Sequence, residues 1–187
     1  MTKSNKIIIA IVAVIAVIAL SCIFGYNSLV SSKSEVDEKF STIDTYLQRR
    51  NDLIPNIVNS VKGYASHESE VFSEVSDARA KLAGASSTKD TVEADSELSG
   101  AISRLLMVAE NYPELKADTQ FTALTDELSG TENRIAVARK DYNEAAKLYN
   151  ASIKKFPKVI LAKMFGFDSV EYFKASEDSK QVPKVEF

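Results

Sequence analysis

The stretch Arg49-Arg50-Asn51-Asp52, followed by Pro55-Asn56 and later by His67-Glu68, holds the densest set of reactive side chains in the sequence. Guanidinium groups bind carboxylates and phosphates through paired N–H donors. A histidine beside a carboxylate can move protons when both stand within hydrogen-bond reach of a substrate. Two readings follow. One is a membrane-bound enzyme or ligand sensor that uses Arg50, Asp52 and His67. The other is architecture or a binding face, with His67 as a capping or surface residue near a helix boundary. The second is preferred, because no motif supports the first. His67-Glu68 lacks the second histidine of a zincin, and no phosphate-cradling Gly-rich loop or nucleophile elbow is present. One histidine and one cysteine leave little material for a zinc site. The sequence therefore predicts a non-enzyme with no metal and no cofactor.

Composition narrows the partners. The chain has 187 residues with a formal charge of −3, and Lys3 and Lys6 are the only charges before residue 26. An acidic body lacks the basic patch that nucleic-acid binding needs. From Ile7 to Gly25 there is no charged residue. As a helix this run is about 28 Å long, close to the hydrocarbon thickness of a bilayer. It predicts a single-pass anchor over residues 1–25 that meets membrane lipid. The two lysines before it, with Glu35, Asp37 and Glu38 after it, put the N-terminus in the cytoplasm and the body outside. The run also allows a secretory signal, with Cys22 in Ala19-Leu20-Ser21-Cys22 as a lipidation site. The competing reading makes Cys22 a small apolar residue inside the span. Both readings tether the body to a membrane.

The body must position the polar cluster, and its apolar residues predict helices. Leu29, Val36, Phe40, Ile43, Leu47, Ile54, Ile57 and Val61 recur in helical steps and predict a helix from about Tyr26 to Tyr64. Val71, Val75, Ala78 and Leu82 mark a shorter one, and Leu98, Ile102, Leu105, Ala109 and Tyr112 mark another, stopped by Pro113. The last stripe runs from Phe121 through Leu128, Ile135 and Tyr142 to Phe156, stopped by Pro157. The body shows no sustained period-two alternation. The expected fold class is all-α: an N-terminal transmembrane helix, then an antiparallel bundle of two long and two shorter helices over residues 26–157 with coiled-coil-like seams. Residues 158–187 are expected to pack on the bundle or the membrane surface. Phe156 to Phe167, apolar with interspersed lysines, reads as a short helix. It either covers the membrane-proximal half of the bundle, the preferred reading, or lies in the interface with its lysines at lipid headgroups. The extreme tail is expected to dock through Val185 and Phe187.

The two long stripes are each broken once by polar residues, at Arg50 and at Thr131-Glu132. Setting Arg50 opposite Glu132 also matches Leu47 with Ile135, Phe40 with Tyr142, Ile54 with Leu128, Leu29 with Ile153 and Tyr26 with Phe156. This register predicts an interhelical Arg50–Glu132 ion pair. It groups Arg49, Arg50, Asn51, Asp52, Asn56, Glu132, Asn133 and Arg134 into one polar band. Arg49, Asn51 and Asn56 are expected to point partly away from the seam, and Asn51 or Asp52 to satisfy groups freed at Pro55. The band is either a specificity device or a binding site for a protein partner.

A wider set of motifs carries a family resemblance. Tyr26-Asn-Ser-Leu-Val30 is followed by Arg49-Arg-Asn-Asp-Leu-Ile-Pro-Asn56, Val61-Lys-Gly-Tyr-Ala65 and Ala78-Arg-Ala80. Then come Glu110-Asn-Tyr-Pro113, Thr131-Glu-Asn-Arg-Ile-Ala136, Tyr149-Asn150, Gly166-Phe167 and a closing Pro-Lys-Val-Glu-Phe. In this order, over nearly the whole chain, they resemble the LemA family of bacterial membrane-anchored helical proteins. The resemblance implies a membrane helix followed by a helical bundle, and no defined activity. Residues and resemblance together point to an envelope scaffold or accessory interaction protein. Some members carry a Cys directly before Gly-Tyr-Asn. Here Ile23 and Phe24 intervene, which weakens the lipidation reading of Cys22.

Overall fold

The computed structural model describes residues 3–173. Six helices follow in order: α1 (Lys3–Tyr64), α2 (Ser69–Ala83), α3 (Thr88–Glu110), α4 (Pro113–Lys116), α5 (Thr119–Ser152) and α6 (Lys158–Phe165). Among the described residues there is no strand. The sequence expectation of two long and two shorter helices is met by α1, α5, α2 and α3; α6 is the short helix expected between Phe156 and Phe167, and α4 is added. The apolar run and the first body helix are continuous, so α1 does not restart at Tyr26 and passes through Pro55. The apolar part of α1 is unburied, and this helix is long and apolar enough to cross a membrane. Exposed Ile and Val on every side of a helix match a lipid surround rather than water.

Local chemistry sets the helix ends. Ser87 caps α3, its hydroxyl oxygen accepting from the Asp90 amide at 3.1 Å. Asp118 caps α5 by accepting from the Gln120 and Phe121 amides at 2.8 and 3.0 Å. Pro113 opens α4 at a position where its missing N–H costs no helical bond. Gly166 ends α6 with φ +72°, and Phe167 N–H closes the turn on Ala162 O at 2.9 Å. Of the two roles expected for His67, capping is not the one observed before α2. Glu68 holds the capping position without a side-chain hydrogen bond.

The chain divides into two compact units, and α1 and α5 contribute to both. The first comprises Met1–Phe40 and Asp141–Val170. Its core holds Leu29, Val36, Tyr142, Ala146, Tyr149 and Ile153, all buried. The Phe40 and Tyr142 rings meet edge to face at 5.9 Å, as the register expects. One pairing differs. Tyr26 stacks on Phe165 and Phe167, with ring centroids at 4.8 and 5.8 Å, and Phe156 is 81% exposed. The cause is local: α5 ends at Ser152, before Phe156, and Phe165 at the end of α6 with Phe167 just beyond it supply the aromatic groups instead. The segment after α6 is tied back to α5. Tyr149 donates its hydroxyl to Asp168 O at 2.9 Å, and Asn150 exchanges two bonds with the Val170 backbone. Val185 and Phe187 lie outside the described residues.

Among the described residues the second unit comprises 41–140 with 171–173. Its core is built from Ile54, Ile57 and Val61 of α1, Phe72 and Val75 of α2, Leu98, Ile102 and Leu105 of α3, Leu115 of α4 and Leu128 of α5. On α2 the buried stripe is Phe72, Val75 and Ala78, with Val71 only half-buried.

A buried charge cluster on three helices

The second unit carries a set of charges inside its core. Arg50 on α1 is 0% exposed. Its guanidinium reaches Glu132 Oε1 on α5 at 2.9 Å, Asp95 Oδ1 on α3 at 2.5 Å and Ser99 Oγ on α3 at 3.0 Å. Asp95 uses its second oxygen to accept from Arg139 on α5. Ser99 donates to the Asp95 carbonyl at 2.9 Å, which holds its oxygen toward Arg50. Two guanidiniums and two carboxylates therefore neutralise one another, with Arg50 and Asp95 withdrawn from water and Glu132 and Arg139 partly exposed at the edge of the cluster. Burial of each charge is tolerable only in this paired, hydrogen-bonded form.

The helix geometry explains why adjacent arginines meet different fates. Neighbouring residues on a helix point about 100° apart, from 3.6 residues per turn. Arg50 follows Ile43 and Leu47 on the buried face. Arg49 turns outward and bonds Glu127 at 2.8 Å, both side chains being more than a third exposed. Arg134 approaches the same Glu127 oxygen at 3.6 Å.

The remaining band residues separate by level and face. Asn51 is half-buried and accepts from Arg79 Nε of α2 at 2.8 Å. Asp52 is exposed and accepts from Gln48 at 2.9 Å. Both side chains are thus engaged elsewhere than at the Pro55 gap, contrary to the sequence expectation. Asn56, Asn133 and Arg134 are exposed. Beside Asn51 opens a cleft of about 220 Å³, lined among others by Asp44, Gln48, Leu82 and Thr91. His67 sits exposed in the turn after α1. From Arg50 to Tyr64 alone the helix rises about 21 Å. Arg50, Asp52 and His67 therefore do not form one constellation, and a proton-transfer site built from these three has no geometry. Cys22 is exposed within the continuous α1.

Sequence reasoning missed Asp95 and Arg139. A signal for Asp95 existed: Thr91, Ala94 and Asp95 extend the Leu98–Ile102–Leu105 stripe toward the start of α3, so an acidic residue stands at a core-facing position. Arg139 adjoins buried Ala138 at the edge of the α5 stripe, and its guanidinium lies 5.7 Å from the Phe173 ring. The Nε groups of Arg50 and Arg139 find no acceptor among the described residues.

Comparison with known proteins places this arrangement. A family model described as LemA family matches residues 39–187, which includes every member of the cluster. Magnetosome protein MamQ 2 of Paramagnetospirillum magneticum is 30% identical over 174 residues, covering 79% of this chain and 64% of the relative. Magnetosome protein MamQ of Magnetospirillum gryphiswaldense is 29% identical over the same length. Protein LemA of Metamycoplasma hominis is 28% identical over 152 residues, covering 81% of this chain and 69% of the relative. The chain thus spans 64% of the length of the magnetosome relatives it matches. The family model covers most of the chain, and by that match the chain belongs to the LemA family.

Proposed function

We propose that this protein is a single-pass, membrane-anchored, non-catalytic scaffold of the bacterial envelope that works by binding another protein. Residues 1–25 serve as the anchor, with the N-terminus in the cytoplasm, and residues 26–157 form the bundle that is presented outside. The observation that carries this reading is the closure of the polar cluster. Arg50, Asp95, Glu132 and Arg139 spend their charges on one another, and Arg50 offers no surface to a substrate. A catalytic site needs convergent polar groups in an accessible cavity. Here the convergent groups fix the mutual register of three helices instead, the best-attested use of buried polar groups.

The exposed side of the same band, with Asn56, Asn133 and Arg134, is the surface left for a partner. Arg is favoured at protein interfaces because its planar fork binds carboxylates with defined geometry. A photoreactive residue placed at Asn56 or Asn133 in the full chain, in its native membrane, should give a discrete protein adduct that Arg134→Glu abolishes. If adducts form equally from exposed positions all over the body, binding through this band is refuted.

A further inference from the structure

Beyond the apolar run itself, the described part of the first unit carries an uncovered apolar surface where the anchor ends. Gly25 is the last residue of the uncharged run. A Cβ at Gly25 would lie 2.7 Å from Leu161 of α6, so α6 rests directly on α1 at this level. Tyr26, the next residue, packs its ring on Phe165 and Phe167. Lys158 at the start of α6 donates to Ser28 of α1 at 2.7 Å. These contacts place α6 at the end of the apolar span.

Only Leu161 and Ala162 of α6 are buried. Phe156, Ile160 and Met164, four residues apart, are 81%, 55% and 67% exposed, and Phe165 is 54% exposed. An apolar cleft of about 300 Å³ opens beside them, lined by Cys22, Ile23, Tyr26, Leu161, Met164 and Phe165 together with Asn27. Charge points to the same occupant. Residues 145–167 carry five lysines, Lys147, Lys154, Lys155, Lys158 and Lys163, and no acidic residue, in a chain whose net charge is −3.

We propose that α6 is an interfacial helix. Phe156, Ile160, Met164 and Phe165 enter the bilayer surface, and Lys154, Lys155 and Lys163 meet anionic lipid headgroups. The proposal rests on the reading that the apolar run of α1 spans the bilayer. Given that span, lipid is the solvent already present at Gly25 and Tyr26. A helix with an apolar face and a basic flank at that level meets the requirements for lying in the interface plane. Tyr26 at the boundary fits the preference of tyrosine rings for the headgroup level. A protein occupant would have to displace that lipid from a surface flanked by lysines that form no ion pair among the described residues.

The test uses the full chain in a Cys22→Ser background, reconstituted into phosphatidylcholine vesicles containing phosphatidylglycerol. An environment-sensitive fluorophore is attached to Val12→Cys or to Met164→Cys. Lipids carrying a nitroxide deep in the acyl chain or near the headgroup act as quenchers, and iodide reports access from water. The expected result is quenching of the Val12 label by the deep nitroxide. The Met164 label should be quenched by the shallow nitroxide and shielded from iodide. The substitutions Lys154→Glu, Lys155→Glu and Lys163→Glu together should return the Met164 label to iodide, and if they leave its shielding intact the headgroup role of the lysines is overturned. If the Val12 label is quenched while the Met164 label is open to iodide and untouched by either nitroxide, the anchor stands and α6 docking is refuted. If the Val12 label escapes the deep nitroxide, the spanning reading fails and the proposal falls with it.

Discussion

Replacing Arg50 by methionine keeps a long unbranched side chain and removes the charge, which isolates the contribution of the ion pairs. In the native protein Arg50 is fully buried and bonds two carboxylates and Ser99. Glu132 has a side chain 37% exposed and can return to water. Asp95 cannot, because its side chain is 3% exposed. Stranding one member of a buried pair costs about 3–5 kcal/mol. Arg139 still faces Asp95, so the expected loss lies at the lower end, about 3 kcal/mol. Urea unfolding of the full chain in detergent micelles, followed by helical circular dichroism, reads this directly. With a urea slope of about 2 kcal/mol/M, the midpoint should fall by about 1.5 M. The paired change Arg50→Met with Asp95→Asn removes both charges. It should recover part of the loss, giving a coupling energy of about 1–3 kcal/mol in a double-mutant cycle. A change of less than about 0.5 kcal/mol for Arg50→Met would place Arg50 among ordinary surface residues and refute the reasoning.

Arg49→Ala is the neighbouring contrast. Its ion pair with Glu127 is exposed on both sides, so the variant should stay within about 0.5 kcal/mol of the native midpoint in the same assay. Tyr149 supplies a pH prediction: burial first, then the Asp168 and Asp37 carboxylates, raises its hydroxyl above the ordinary tyrosine value. The folded state therefore holds this proton more tightly than the unfolded chain, so the contribution is complete below about pH 10 and fades as pH rises above it. A Tyr149→Phe variant, which cannot ionise, should lose less stability than the native chain over that alkaline range, and equal losses would dismiss the effect.

Much of the helical plan was legible because apolar periodicity reports burial directly. Leu29, Val36, Phe40, Ile43, Leu47, Ile54, Ile57 and Val61 mark one face of α1, and all are buried except Phe40, which is half-buried. The Arg50–Glu132 contact followed from matching two interruptions in two stripes, and it is present at 2.9 Å. What escaped was the rest of the network. Asp95 and Arg139 look like surface residues by type, and periodicity scores a buried charge as a gap rather than as a member of the core. The start of α3 escaped for the same reason: Thr88 to Glu97 is mostly polar, so its helical face shows only once Thr91, Ala94 and Asp95 are seen buried. Phe156 falls outside the register because the apolar stripe continues past the helix, while α5 stops at Ser152.

The cluster also bears on the order of folding. α2 and α3 are joined by a short loop and can pair with little loss of chain entropy. The bonds of Arg50 to Asp95 and Glu132 span 45 and 82 residues, and Arg139 lies 44 residues beyond Asp95. Contacts at such separations are slow to form, because loop closure must precede any gain from them. The charges can meet only when α1, α3 and α5 have already been brought together. Such a network is expected to close after the rate-limiting encounter, as a latch on the finished body, so Arg50→Met should speed unfolding more than it slows folding in a stopped-flow measurement. It governs how long the folded state survives more than how fast that state is reached.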